Sequence, residues 1–197
     1  MAINNSKDLS DLPATHVSMD PVLSSLDCMI FDREAVYASS EFTTGKRFYE
    51  LCRDSKVLTA EGLKKALGTR YNTQLLLPNI DKGVTFARKL RGLGFPLVIS
   101  PNPLFVKGWG QDEYLQLWVK VITDKCNASY FNDGWQFSNG CTLEYLRSVQ
   151  HGIPVFDSDG RRLPVKQARH DIAMAITELE AEGFSVPKLN EVLCQLE

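Results

Sequence analysis

Seven consecutive residues, Ser138-Asn139-Gly140-Cys141-Thr142-Leu143-Glu144, combine groups that could do chemistry together. Small polar residues before an apolar run mark a helix N-terminus, where the first backbone N–H groups lack partners within the helix and carry the positive end of its dipole. Such an end suits a phosphate. Glu144 follows Gly140 by four residues, so it shares a helical face and stands about 6 Å further along the axis. That is the reach from a nucleotide's 5'-phosphate to its anomeric carbon. Helical side chains lean back toward the N-terminus, and Gly140 has no side chain to fill the gap. With Ser138, Asn139 and Gly140 on a phosphate, Glu144 would stand where a glycosidic nucleophile must be. The same residues also fit a capped helix with a surface glutamate, and local spacing alone does not choose.

A second candidate is Ser39-Ser40-Glu41-Phe42-Thr43-Thr44-Gly45-Lys46-Arg47. Thr44, Gly45, Lys46 and Arg47 supply hydroxyl, free backbone and two cations, the ingredients of a phosphate cradle. The spacing is not that of a P-loop. A polar loop in which Thr43 or Thr44 caps the next helix accounts for it equally well. Asn102, in the turn Ser100-Pro101-Asn102, joins the substrate-binding candidates.

Positioning these groups requires strands that end beside helix starts. Ala35–Ser39, Pro96–Ser100, Ala128–Phe131 and Ile153–Phe156 are short apolar runs with the character of buried strands, each followed by turn-forming polar residues. Helical patterns cover Asp81–Leu93, Gln111–Lys125, Asn139–Gln150 and 164–182, the last opening at a proline and closing at Gly183. Alternating strand and helix predicts an α/β fold, a flavodoxin-like or Rossmann-like doubly wound parallel sheet of four to five strands with flanking helices. The fifth strand would be Cys28–Phe31 or Phe184–Val186. In such sheets ligands bind beyond the carboxyl ends of the strands. Residues 48–80 exceed a simple crossover and predict a helical insertion of two short helices. Residues 1–24 are expected to be a polar, partly disordered leader, and 25–197 a single domain.

Composition narrows the function classes. The 197 residues carry a net charge of −2, from 22 basic and 24 acidic side chains, so no global field favours polymeric nucleic acid or an anionic membrane. No apolar run approaches a membrane span and the N-terminal stretch lacks a signal-peptide pattern. Five scattered cysteines point to reduced thiols and a cytoplasmic setting. Three histidines without ligand spacing give no metal site. Cys141 has no neighbour in sequence to activate it and reads as a packing residue. His151 suits the C-terminal end of its helix, and Arg161-Arg162 suit a solvated pair.

The run Asp133-Gly134-Trp135 through Ser138-x-Gly140-x-x-x-Glu144 to Gly152-Ile153-Pro154-Val155 resembles the signature segment of the nucleoside 2-deoxyribosyltransferase-like superfamily, particularly its small phage and bacterial members. Ala35–Arg47 is similar to the family's first strand and phosphate-side loop, and Pro96–Phe105 to its second strand. The resemblance spans about residues 35 to 160 without the insertion. It implies a flavodoxin-like sheet and a hydrolase or transferase acting at the N-glycosidic bond of a nucleoside or nucleotide, with no cofactor. Glu144 would attack the anomeric carbon, Ser138 and Gly140 would hold the 5' end, and Tyr37 would lie by the sugar. One departure is evident. Where the family carries an aspartate in the helix before the third strand, this chain offers Val119 or Lys120, leaving Asp133 or Glu41 as substitutes. A non-catalytic nucleotide-binding module using the same cleft is the alternative. The resemblance also implies a homodimer, for which Trp109, Tyr114 and Trp118 offer an aromatic surface.

Overall fold

Five consecutive buried residues, Ala35-Val36-Tyr37-Ala38-Ser39, form β1 (Ala35–Ser39) at the centre of a computed structural model that describes residues 18–30, 34–102 and 104–196. A strand buried on both faces suits a parallel sheet with helices above and below. That is the arrangement found. β2 (Val98–Ile99), β3 (Cys126–Phe131) and β4 (Val155–Phe156) complete a four-stranded parallel sheet of order β2-β1-β3-β4. Tyr37 is in register with Ile99 on one side and Ser129 on the other.

The eight helices among the described residues are α1 (Asp20–Met29), α2 (Lys46–Asp54), α3 (Ala60–Leu67), α4 (Leu77–Gly92), α5 (Gln111–Lys125), α6 (Asn139–Gln150), α7 (Val165–Ala181) and α8 (Pro187–Gln195). The pleat of β1 assigns them to faces. Ala35 and Tyr37 pack with Trp118, Val121 and Ile122 of α5, where Leu23 and Leu26 of α1 also lie. Val36 and Ala38 point the other way, onto Phe86, Ala87 and Leu90 of α4. Helices on both faces make the sheet doubly wound, in the flavodoxin-like manner. A third apolar cluster joins α2, α3, α6, α7 and α8 around Phe131, Trp135 and Tyr145.

Several boundaries and elements differ from the sequence expectation. Cys28 and Met29 close α1 instead of forming a strand, and Phe31 lies outside the described residues. Phe184–Val186 is the irregular link into α8, a helix the sequence reading lacks, so neither candidate fifth strand forms. α1 begins at Asp20, inside the stretch assigned to the leader, while residues 1–17 lie outside the described residues. The insertion does hold short helices α2 and α3, but it ends in a π-helical turn, Asn72–Leu76, that runs directly into α4. Among the described residues no helix is long and apolar enough to cross a membrane.

Candidate functional site

β1 leads to one side of the sheet through β2, and β3 and β4 continue on the other, so the chain reverses direction between β1 and β3. A crevice forms at the carboxyl ends of strands at such a point. Here α6 starts just after β3, through a turn fixed at its base. Gly134 takes φ 83°, a conformation that favours glycine, and Trp135 stacks on Tyr145 at 5.0 Å while meeting Phe131 edge-on. The Asp133-Gly134-Trp135 stretch therefore anchors the first turn of α6.

Ser138 is the N-cap of α6 and its hydroxyl accepts from the Cys141 N–H at 3.4 Å. The Asn139 N–H donates to the Thr44 hydroxyl at 3.1 Å, tying the loop after β1 to the helix. Both threads of the sequence reading thus meet here. They also consume two of the first three amides, leaving the Gly140 N–H without a side-chain acceptor among the described residues.

Glu144 is not a surface residue. It is 5% exposed, and both carboxylate oxygens are held from β1: the Tyr37 hydroxyl donates to Oε1 at 2.8 Å and the Ser39 hydroxyl to Oε2 at 2.6 Å. Tyr37 and Ser39 are two apart on a strand and so share a face. Burial pushes the Glu144 carboxyl up to about 7, against the two hydroxyl donors, which favour its ionised form. Burial likewise raises the Tyr37 hydroxyl well above its usual range, with the neighbouring Glu144 adding to the effect, so Tyr37 keeps its proton and acts as a donor. The Cys141 thiol, buried beside them, is pushed up to about 12 and stays protonated, in keeping with a packing role.

Beside Glu144 lies a partly open cleft. Gly140, Ser138 and Cys141 line it beside the carboxylate; Ser40, Thr43 and Thr44 come from the loop after β1; Phe42, Leu104, Tyr114 and Trp118 give an apolar, largely aromatic wall. Among the described residues lining it, Glu144 is the one carboxylate and there is no Lys, Arg or His. A second groove adjoins it, sharing Gln111, Leu115 and Gly140, and carries Asn139, Arg147 and Lys188.

Other candidates are placed elsewhere. Asp133 does not line the cleft; its carboxylate accepts from Ser158 at 2.6 Å and its carbonyl from Lys82 at 2.7 Å. Glu41 is buried and ion-paired to Lys82 at 3.0 Å, also outside the lining, with its Oε2 lacking a partner among the described residues. Val119 and Lys120 do not reach the cleft, and Lys120 pairs with Asp124. Lys46 begins α2 outside the lining, and the Arg47 guanidinium donates to the Gln74 carbonyl of the π-helical turn. Gly45 is structural: at φ 137° it passes the Glu41 carboxylate so closely that a Cβ would sit 2.5 Å from Oε2. Asn102 is a loop clamp, donating to the carbonyls of Glu41 at 3.1 Å and Asn79 at 3.3 Å.

Sequence reasoning missed Ser39 as a partner of Glu144, although its spacing from Tyr37 was the available signal. Trp118, an aromatic that suited a core or an interface, is a core residue at 8% exposed and 6.2 Å from Tyr37, and it also borders the cleft. Compared with protein-family models, curated proteins and solved structures, the chain matches none.

Proposed function

We propose that the protein cleaves the N-glycosidic bond of a nucleoside 5'-monophosphate, with Glu144 as the nucleophile. One observation carries this reading: a buried carboxylate beside an open cleft, with both oxygens fixed by hydroxyls from a central strand. Fixed geometry is what a nucleophile needs, because a pre-aligned attacking atom removes much of the entropic part of the barrier. The sugar lies over Glu144 with C1' facing the carboxylate. The base lies against Phe42, Tyr114 and Trp118. The 5'-phosphate lies over the Gly140 N–H, where the cleft opens toward Arg147 and Lys188 of the adjoining groove.

In the first step a Glu144 oxygen bonds to C1' as the C1'–N bond breaks; the base departs with the bond's electron pair, a base that was neutral taking a proton from solvent, and a glycosyl ester is left. Water, or a second base in a transfer reaction, then attacks C1' and releases the carboxylate. Tyr37 and Ser39 hold the carboxylate between steps and steady it as a leaving group. The adjoining cations would supply binding energy remote from the reacting bond, which positions the sugar.

A second reading, a nucleotide-binding module without turnover, draws on the lack of another carboxylate in the cleft lining among the described residues. Chromatographic measurement of free base released from a panel of nucleoside 5'-monophosphates separates the two. The enzyme reading expects release that falls by several orders of magnitude in Glu144→Gln and Glu144→Ala. Tight binding of the panel with no release would leave the module. The resemblance's homodimer belongs to the same proposal, and a monomeric mass by light scattering at micromolar concentration removes it.

A further inference from the structure

Among the described residues lining the cleft, Glu144 is the one carboxylic acid. A neutral base departing from C1' takes the bonding electron pair and becomes an anion, so retaining glycosidases place a second carboxyl group beside the nucleophile to protonate it. The described lining of this cleft has no such group. Glu144 is committed to C1'. Asp133 and Glu41 face Ser158 and Lys82 outside it. The remaining polar side chains are Gln111, Ser and Thr hydroxyls, Tyr114, whose hydroxyl hydrogen-bonds the Val106 backbone, and the Cys141 thiol. None is an acid of useful strength at neutral pH, and burial weakens Cys141 further.

Two independent features concern the charge of the ligand. The lining carries three aromatic residues, Phe42, Tyr114 and Trp118, and aromatic rings can attract a cation through their faces. Among the described residues the lining holds one carboxylate, Glu144, and no cationic side chain, so the charge its side chains present is negative when Glu144 is ionised. Both features favour a positively charged heterocycle over a neutral one.

On the premise that Glu144 attacks C1', we propose that the preferred substrates are nucleotides whose base is cationic at the glycosidic nitrogen's ring, such as an N-alkylated purine or a pyridinium. The step then balances without an acid. A Glu144 oxygen forms the bond to C1', the C1'–N bond breaks, and its electron pair neutralises the ring cation, so the base leaves neutral. Water later adds to C1', the ester C1'–O bond returns its electrons to Glu144, and the proton of the water passes to solvent.

The experiment compares 7-methylguanosine 5'-monophosphate with guanosine 5'-monophosphate, in calorimetric binding to Glu144→Gln and wild type and in base release by the wild type. Spontaneous hydrolysis of both compounds in the same buffer sets the intrinsic difference. The expected result is a wild-type affinity about tenfold greater for the cationic nucleotide, a smaller preference in Trp118→Leu, and a kcat/KM ratio at least as large as the spontaneous ratio. A kcat/KM ratio compressed well below the spontaneous one would mean that the protein assists departure of the neutral base, and it overturns the inference. Equal wild-type affinities overturn it as well. Release of neither base, with the cationic nucleotide still bound more tightly, would retire the glycosidase reading and retain the cationic ligand class, so the two failures are distinguishable.

Discussion

The Tyr37 hydroxyl donates to Glu144 Oε1 at 2.8 Å although the two residues lie 107 positions apart in the chain. This bond, with the one from Ser39, offsets part of the burial that holds the Glu144 carboxyl near 7. In the proposed mechanism attack on C1' needs the ionised form, so kcat/KM should rise with pH through about 7 and level off above it. Tyr37→Phe removes a donor to the charged form, a bond of roughly 1.5–3 kcal/mol. The rising limb should move up by about one pH unit or more. Loss of activity with an unmoved pH profile would assign Tyr37 a packing role alone.

The same shift predicts how stability depends on pH. Glu144 titrates near 4.5 when unfolded and near 7 when folded, so between these values the folded state binds more protons. Stability must therefore fall as pH rises through that window, and the cost is fully present above pH 7. At about 1.4 kcal/mol per pH unit it amounts to about 3 kcal/mol. Glu144→Gln has no charge to bury. It should melt higher than wild type at pH 8, and the difference should vanish by pH 4. Equal melting temperatures at pH 8 would show that the folded-state pKa is ordinary.

A third prediction concerns the loop after β1. Gly45 combines φ 137° with contact against the Glu41 side chain, where an added Cβ would meet carboxylate and methylene atoms at 2.5–2.8 Å. Gly134 has φ 83° but leaves 3.4 Å to the same oxygen. Gly45→Ala should therefore destabilise by about 1–3 kcal/mol, from backbone strain and overpacking together, and Gly134→Ala by less. Urea denaturation checks the order, and reversal would refute the close-approach argument.

What was legible in the sequence follows from how local each signal is. Ser138 and Glu144 could be read because a helix cap and a four-residue spacing lie within one segment. The strand β1 was legible to the residue, since five apolar or small residues between polar turns have few other uses. The destination of Glu144 was not legible. Its face of α6 carries apolar neighbours too, and only the β1–β3 pairing brings Tyr37 and Ser39 over it. Lys46 and Arg47 misled for a related reason: a cation after a strand has the right chemistry, but its direction depends on the π-helical turn that Arg47 meets. Ile153–Phe156 shortened to Val155–Phe156 because Pro154 has no N–H to give the ladder, although its carbonyl still accepts from Ser129. Phe184–Val186 has strand-like composition, yet Pro187 opens a helix immediately after it, and burying Phe184 and Val186 satisfies the apolar signal without a sheet.

The last prediction tests where the ligand's anion sits. A Cβ built on Gly140 meets nothing nearer than the Ser138 hydroxyl at 3.9 Å, so a side chain there would project into open space where the cleft and the adjoining groove meet. Valine in a helix is no worse than glycine by intrinsic propensity, so Gly140→Val should fold and melt at or above the wild-type temperature. Its side chain would nevertheless cover the Gly140 N–H and narrow the passage toward Arg147 and Lys188. Binding of a nucleoside 5'-monophosphate should weaken by about tenfold or more, while the matching nucleoside, which places nothing over Gly140, loses less. Gly140→Ala, with one carbon in place of three, should fall between. The advantage of the monophosphate over its nucleoside, measured by calorimetry in all three proteins, is thus expected to shrink in step with side-chain size. If that advantage is the same in Gly140→Val as in wild type, the phosphate does not lie over α6, and the helix N-terminus serves Thr44 and Ser138 alone.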